Sequence, residues 1–164
     1  MDTREELMDW LRDAYAMERG QELMLKKQAE NEELEPTLRQ QMAMHLAETR
    51  AHAAALEGCL RLMGSDTSVL KTVMSSGAAL AQGLATAFAS DERVKDLLTA
   101  YASEHFEIAC YQALRTAAEM LGENDVVEMC DSILPDEERM AEWLSANLPL
   151  VVRSYLVDGE MTEA

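Results

Sequence analysis

The chain has 164 residues, 48% of them apolar, and sets 14 lysines and arginines against 31 aspartates and glutamates for a formal charge of −17. That length suits one domain with its own apolar core, and a second catalytic domain is not expected. So large an excess of negative charge repels phosphate backbones and anionic headgroups, which argues against nucleic acid and membrane partners. Alanine, leucine, methionine and glutamate outnumber aromatic and β-branched residues, and that balance favours helix over sheet.

The opening stretch Met1 to Trp10 carries Asp2, Glu5, Glu6 and Asp9 against Arg4 alone and has no apolar run, unlike a secretory or mitochondrial leader. A cytoplasmic location is therefore expected. Thr3 and Glu6 have capping-box spacing, and Leu7, Leu11, Ala14 and Leu25 recur at helical intervals, predicting a first helix from about Thr3 to Ala29. Pro36 suits a first helical turn. From it a second helix is expected through Leu38, Met42, His45, Leu56 and Met63 until Gly64 stops it. Asp66 or Thr67 then caps a weaker helix over Val69 to Ala89, where Ser75, Ser76, Gly77, Gln82 and Gly83 disfavour membrane insertion although Lys71 is the single charge.

Ser90 caps the next helix, in which Val94, Leu97, Tyr101, Ile108, Leu114 and Leu121 run to Gly122. Asp125 and Glu128 open the last one, expected through Leu144 to about Asn147, with Pro135 causing a kink or bulge just before Glu137 and Pro149 ending it. Leu150 to Leu156 reads as one closing apolar turn. One domain over residues 1–157 and a frayed tail over 158–164 complete the division.

An internal repeat supports two related hairpins. Leu11, Ala14, Tyr15, Ala16 and Glu18 reappear 86 positions later as Leu97, Ala100, Tyr101, Ala102 and Glu104, each set on the opening helix of its pair. Two helix pairs joined by a long crossover make an all-α, ferritin-like four-helix bundle, with Val69 to Ala89 as the crossover helix.

Residues three, four and seven apart share a helix face, and along each such seam an acid or imidazole interrupts the apolar series. The first helix reads Leu11, Ala14, Glu18, Gln21, Leu25; the second reads Leu38, Met42, His45, Glu48, His52, Leu56. The third bundle helix reads Leu97, Tyr101, Glu104, Ile108, with Glu107 and Tyr111 on its shoulder, and the last reads Ile133, Glu137, Met140, Leu144, Leu148. One inward acid per helix is expected near mid-length. Burying several carboxylates without partners costs several kcal/mol per ion. Protons, the imidazoles, Arg50, Arg115 or divalent cations must offset that cost, and carboxylate with imidazole suits iron, manganese or zinc.

The other reactive side chains read as packing. Cys59, Cys110 and Cys130 are odd in number and form no C-x-x-C pair, so they are expected to be reduced and mostly buried. Met42, Met63 and Met140 fall on core seams. His105 points off the face of Glu104, while Trp10 and Trp143 are expected to anchor bundle ends or a dimer surface. No phosphate-cradling glycine loop, nucleophile elbow or H-E-x-x-H motif occurs in the chain, which leaves hydrolase and kinase readings without support.

Four stretches resemble the YciE/YciF-type ferritin-like family: Leu11 to Glu18, His45 to Arg50, Glu104 to Tyr111 and Glu137 to Leu144, with Ala-Ser-Asp-Glu at Ala89 to Glu92 before the third bundle helix. The resemblance runs from about Glu6 to Leu156. It implies a bacterial, stress-associated four-helix bundle, often dimeric, whose activity is not well defined. Ferritin-like di-iron enzymes place histidine three residues after glutamate on the second and last bundle helices, where this chain has Ala51 after Glu48 and Met140 after Glu137. At most an asymmetric metal site is expected: Glu18, Glu48, His45 or His52, Glu104, Glu107 and Glu137, with Glu138 as the alternative if Pro135 shifts the register.

Two functional readings stand side by side. In one, iron or manganese held at mid-bundle reacts with oxygen or peroxide, with Tyr111 or Tyr101 nearby as a hydrogen-bond donor or oxidisable group. In the other, a metal-free homodimeric stress or interaction protein keeps a vestigial polar core that fixes helix register. A cage-forming iron store is a third, more distant reading.

Overall fold

The computed structural model describes residues 2–65 and 92–162, the last five of these by their backbone alone. Among them are four α-helices and no strand: α1 (Thr3–Glu30), α2 (Pro36–Leu62), α3 (Glu92–Leu121) and α4 (Asn124–Thr162). The helix expected over Val69 to Ala89, with its caps at Asp66, Thr67 and Ser90, lies outside the described residues.

Helix ends follow local chemistry. Asp2, rather than Thr3, caps α1: its carboxylate accepts the backbone N–H of Arg4 at 3.0 Å, and its charge suits the positive end of the helix dipole. Pro36 sits in the first turn of α2, where its missing N–H has no intrahelical partner to lose. Gly64 and Gly122 adopt φ of +86° and +71°, the left-handed conformation that glycine enters without a Cβ clash. Each closes a Schellman motif. Ser65 N–H donates to the Leu60 carbonyl at 2.9 Å and Gly64 N–H to that of Arg61 at 3.0 Å; Glu123 and Gly122 repeat the pattern on Ala118 and Glu119.

The last helix departs from expectation. It does not stop near Asn147 but runs through Pro149 to Thr162, so the stretch Leu150 to Leu156 is part of α4 and helical backbone continues where fraying was expected. Proline already has a helical φ, and Pro149 is exposed, so the Ser145 carbonyl deprived of its intrahelical donor can bond to water. Beyond it Val151 is buried in the core, and Val152 and Tyr155 pack against the same cluster. That burial offsets the lost hydrogen bond. Pro135 is likewise inside the helix and exposed.

The strongest packing joins α1 to α2 and α3 to α4, each pair forming a hairpin. Between hairpins the register is antiparallel. Arg4 meets Glu123, Tyr111 meets Glu18, and Gln28 Nε2 donates to the Asp96 carbonyl at 3.1 Å, so α1 and α3 run in opposite directions. Gln41 meets Met140, His52 meets Asp136, and Cys59 meets the Asp125 carbonyl, so α2 and α4 do too. The end of α2 and the start of α3 therefore lie at opposite ends of the bundle, the connection that a long crossover serves in ferritin-like folds.

The apolar core falls into two clusters. One gathers Leu7, Leu11, Leu56, Leu60, Leu114, Val126 and Ile133. The other gathers Leu25, Leu38, Met42, Leu97, Met140, Leu144 and Val151. Between them on every helix lie buried polar residues: Glu18 and Gln21, His45, Thr49 and His52, Glu104 and Glu107, and Glu137. No helix among the described residues is long and apolar enough to cross a membrane.

Replacing Pro149 with alanine restores the missing donor while leaving the buried face of α4 untouched. Urea denaturation of Pro149→Ala is expected to show a gain of about 1 to 3 kcal/mol, and a loss of stability would contradict this account of the helix.

Candidate metal centre

The polar layer is built from helical spacing. His45, Thr49 and His52 stand four and three residues apart on α2 and form one inward stripe, all buried. Glu104 and Glu107 do the same on α3, and Glu18 and Gln21 on α1. The 86-residue repeat that pairs Glu18 with Glu104 also pairs Gln21 with Glu107. Glu137 is the single inward acid of α4 and is fully buried.

These side chains converge. His45 Nε2 lies 3.1 Å from Glu104 Oε2 and 3.3 Å from Glu137 Oε2. His52 Nδ1 lies 2.9 Å from Glu137 Oε1 and 3.6 Å from Glu18 Oε1. Glu137 thus turns one oxygen to each imidazole. Gln21 Nε2 donates to Glu104 Oε1 at 3.3 Å and to Glu107 Oε2 at 3.5 Å, and the Tyr111 hydroxyl donates to Glu18 Oε1.

Several of the inward atoms approach one another without the alignment of a hydrogen bond. Glu18 Oε2, His45 Nε2, His52 Nδ1, Glu104 Oε2, Glu107 Oε1 and both Glu137 oxygens are buried without a hydrogen-bond partner, as is Thr49 Oγ1. Such orphaned groups are costly and rare in folded proteins. They form two groups, His45 with Glu104, Glu107 and Glu137, and Glu18 with His52 and Glu137, in each of which one ligand atom per residue lies within 4.8 Å of the others. Ligands bonded at about 2.1 Å to one cation stand roughly 3 to 4 Å apart, so small inward movements would close either group on an ion. The donor set, carboxylate with neutral imidazole, suits iron, manganese or zinc.

The outer ring nitrogens are held from behind. His45 Nδ1 lies 2.9 Å from Glu48 Oε2, and His52 Nε2 lies 3.2 Å from Asp136 Oδ2. Carboxylates in that position fix which nitrogen of an imidazole faces inward.

Of the residues expected at the site, Glu18, His45, His52, Glu104, Glu107 and Glu137 come together. Both imidazoles point inward rather than one, and Glu107 is buried, not at the shoulder. Glu48 stands outside the layer, partly exposed, because the stripe through His45 and His52 turns it sideways. Glu138 is exposed: Pro135 does not shift the register, and Glu137 keeps the inward place. Asp136, Arg139, Gln21 and Thr49 are further members that the seam reading did not single out as site residues. The first two follow from an acid and a base three apart on α4 around Glu137, and Gln21 from the repeat.

The metal-free electrostatics are strongly coupled. Burial alone would lower the proton affinity of both imidazoles, yet Glu104 and Glu137 raise His45 to about 11, and Glu137 and Glu18 raise His52 to about 10. Burial pushes Glu104 up to about 7 and raises Glu18. It drives Glu107 well above the carboxylate range, helped by the charges of Glu104, Glu18 and Glu137. Glu137 goes the other way: burial would raise it, but the two imidazoles hold it down to about 2.

Linkage fixes the sign of the pH dependence. Glu104, with Glu18 and Glu107 acting in the same direction, contributes stability below about 4.5 that is lost as pH rises through about 7. The imidazoles contribute below about 6.5 and lose it through about 10 to 11, whereas Glu137 contributes above about 4.5 and loses it as pH falls through about 2. Chelator-treated protein is therefore expected to melt at a lower temperature at pH 8 than at pH 5. Glu104→Gln should flatten that difference; a slope unchanged in Glu104→Gln would show that Glu104 is not its source.

Solved structures share this architecture. A Xanthomonas campestris protein is 34% identical, with 97% of this chain and 99% of that one aligned at a TM-score of 0.80. YcfI from Rhodopseudomonas palustris is 26% identical over 88% of this chain and 94% of its own, with a TM-score of 0.70. The E. coli stress protein YciF, 22% identical over 93% and 99% of the two chains, has the same fold at a TM-score of 0.70. Residues 2–157 match the family described as a domain of unknown function, DUF892. The chain belongs to the DUF892 family, the YciE/YciF-type group of helical-bundle proteins.

Proposed function

We propose that the buried layer is a two-cation centre, with iron or manganese as the occupant, serving redox chemistry toward oxygen or peroxide. The observation that carries this reading is the set of buried, unpartnered imidazole and carboxylate atoms gathered in two groups that share Glu137. His45, Glu104, Glu107 and Glu137 would hold one cation; Glu18, His52 and Glu137 would hold the other. When bound there, iron or manganese supplies one-electron transfer that amino-acid side chains perform poorly.

The chain's own groups prepare the place. Glu48 and Asp136 orient the imidazoles, so that His45 Nε2 and His52 Nδ1 face inward. The Tyr111 hydroxyl holds a proton on the Glu18 side of the layer. Apolar clusters on both sides keep bulk water out, which strengthens every charge interaction within. The stress association in YciF's description agrees with a role in handling oxidants, and this chain is assigned the same class of role here.

A metal-free reading draws support from a different observation. α4 carries no histidine, and both imidazoles already face carboxylates that can balance their charge. The two readings differ in a direct measurement. Protein purified without chelators is expected to carry iron or manganese approaching two ions per chain, and Glu18→Ala combined with Glu104→Ala should abolish it with helicity retained. Failure of the purified or the reconstituted wild type to hold either metal would leave the metal-free bundle standing, with Glu18→Gln and Glu104→Gln then expected to leave folding and any stress phenotype intact.

A further inference from the structure

We propose that Arg139 is a positioning residue that serves both ligand groups at once, by holding in place the carboxylate behind each imidazole. This rests on the two-cation reading above. Arg139 Nη2 donates to Glu48 Oε1 at 2.6 Å and to Asp136 Oδ1 at 2.8 Å. The other oxygen of each carboxylate faces an imidazole, Glu48 Oε2 at His45 Nδ1 and Asp136 Oδ2 at His52 Nε2. Five side chains thus form one continuous chain of polar contacts from α2 to α4 and back to α2. Its two ends are His45 Nε2 and His52 Nδ1, one in each ligand group.

The spacing builds this chain without a loop. His45 and Glu48 are three apart on α2, and Asp136 and Arg139 three apart on α4, so each pair shares a helix face. Two carboxylates that share one nitrogen repel each other, and both are about a third exposed, at 31%. Without the guanidinium each is free to turn to solvent, and each imidazole loses the acceptor that orients it. Removing either carboxylate frees one imidazole. Removing Arg139 frees both. Arg50 does not stand in, because it is engaged with Glu22 at 2.9 Å.

Arg139 itself is 54% exposed, so its replacement opens no hole in the core. Mn2+ titration of the chelator-treated full chain by calorimetry separates the possibilities. Glu48→Ala and Asp136→Ala are each expected to weaken one of two ions by about 10- to 100-fold. Arg139→Met should weaken both by a similar factor, Arg139→Lys should recover most of the loss, and Glu48→Ala should cost less in the Arg139→Met background than alone. Unchanged metal-free helicity and melting temperature in Arg139→Met would establish that the effect lies in the site. The proposal is overturned if Arg139→Met titrates like wild type, weakens a single ion, or loses affinity only through lost helicity. A wild type that binds no Mn2+ overturns the two-cation reading itself, whatever Arg139 does.

Discussion

Ionisable side chains sealed midway between two apolar clusters set the terms for the rest of this bundle. Glu18, Glu104 and Glu137 with His45 have no solvent exposure at all, and the layer they form spans all four helices. Apolar seams alone tolerate sliding by a turn or a heptad, because leucine replaces leucine at little cost. A charged layer does not, since a slip of one turn would carry His45 or Glu137 into hydrocarbon without its counter-charge. The capped ends, the two left-handed glycines and the antiparallel register all serve to bring these residues to one height.

Much of this was legible before any coordinates. Capping signals and apolar periodicity mark the four helices because each buries a continuous stripe, and the acids and imidazoles that break those stripes identify six of the residues that converge. What no local pattern carries is the rotation of each helix's wheel against its neighbours. Glu48 lies about 40° from His52 and 60° from His45 on the wheel, and only the facing of α2 against α4 decides that the imidazoles turn inward. Glu107 differs from Glu104 by a similar angle and is buried, because α1 with Gln21 covers it. Pro149 failed as a stop signal because local preference yielded to the burial of Val151 beyond it. Arg139 pairs with Glu48 across 91 positions, a partnership invisible to any local pattern.

The donor distribution also explains how the chain departs from the glutamate and histidine spacing of ferritin-like enzymes. α4 holds Met140 where a histidine would follow Glu137 by three, and Met140 belongs to the apolar cluster. The second imidazole comes instead from His52, two turns along α2 from His45, and reaches across to Glu137. Both nitrogen donors of the layer therefore reside on one helix, while carboxylates come from the other three.

The 86-residue repeat and the antiparallel register have a joint consequence for ancestry. Two copies of a single hairpin, related by a dyad perpendicular to the helices, would place Glu18 against its own counterpart and close the layer symmetrically. Fusion into one polypeptide removes the demand that both halves stay identical. Gln21 facing Glu107 makes the two halves distinguishable: the 86-residue repeat renders the positions equivalent, yet one holds an amide and the other an acid.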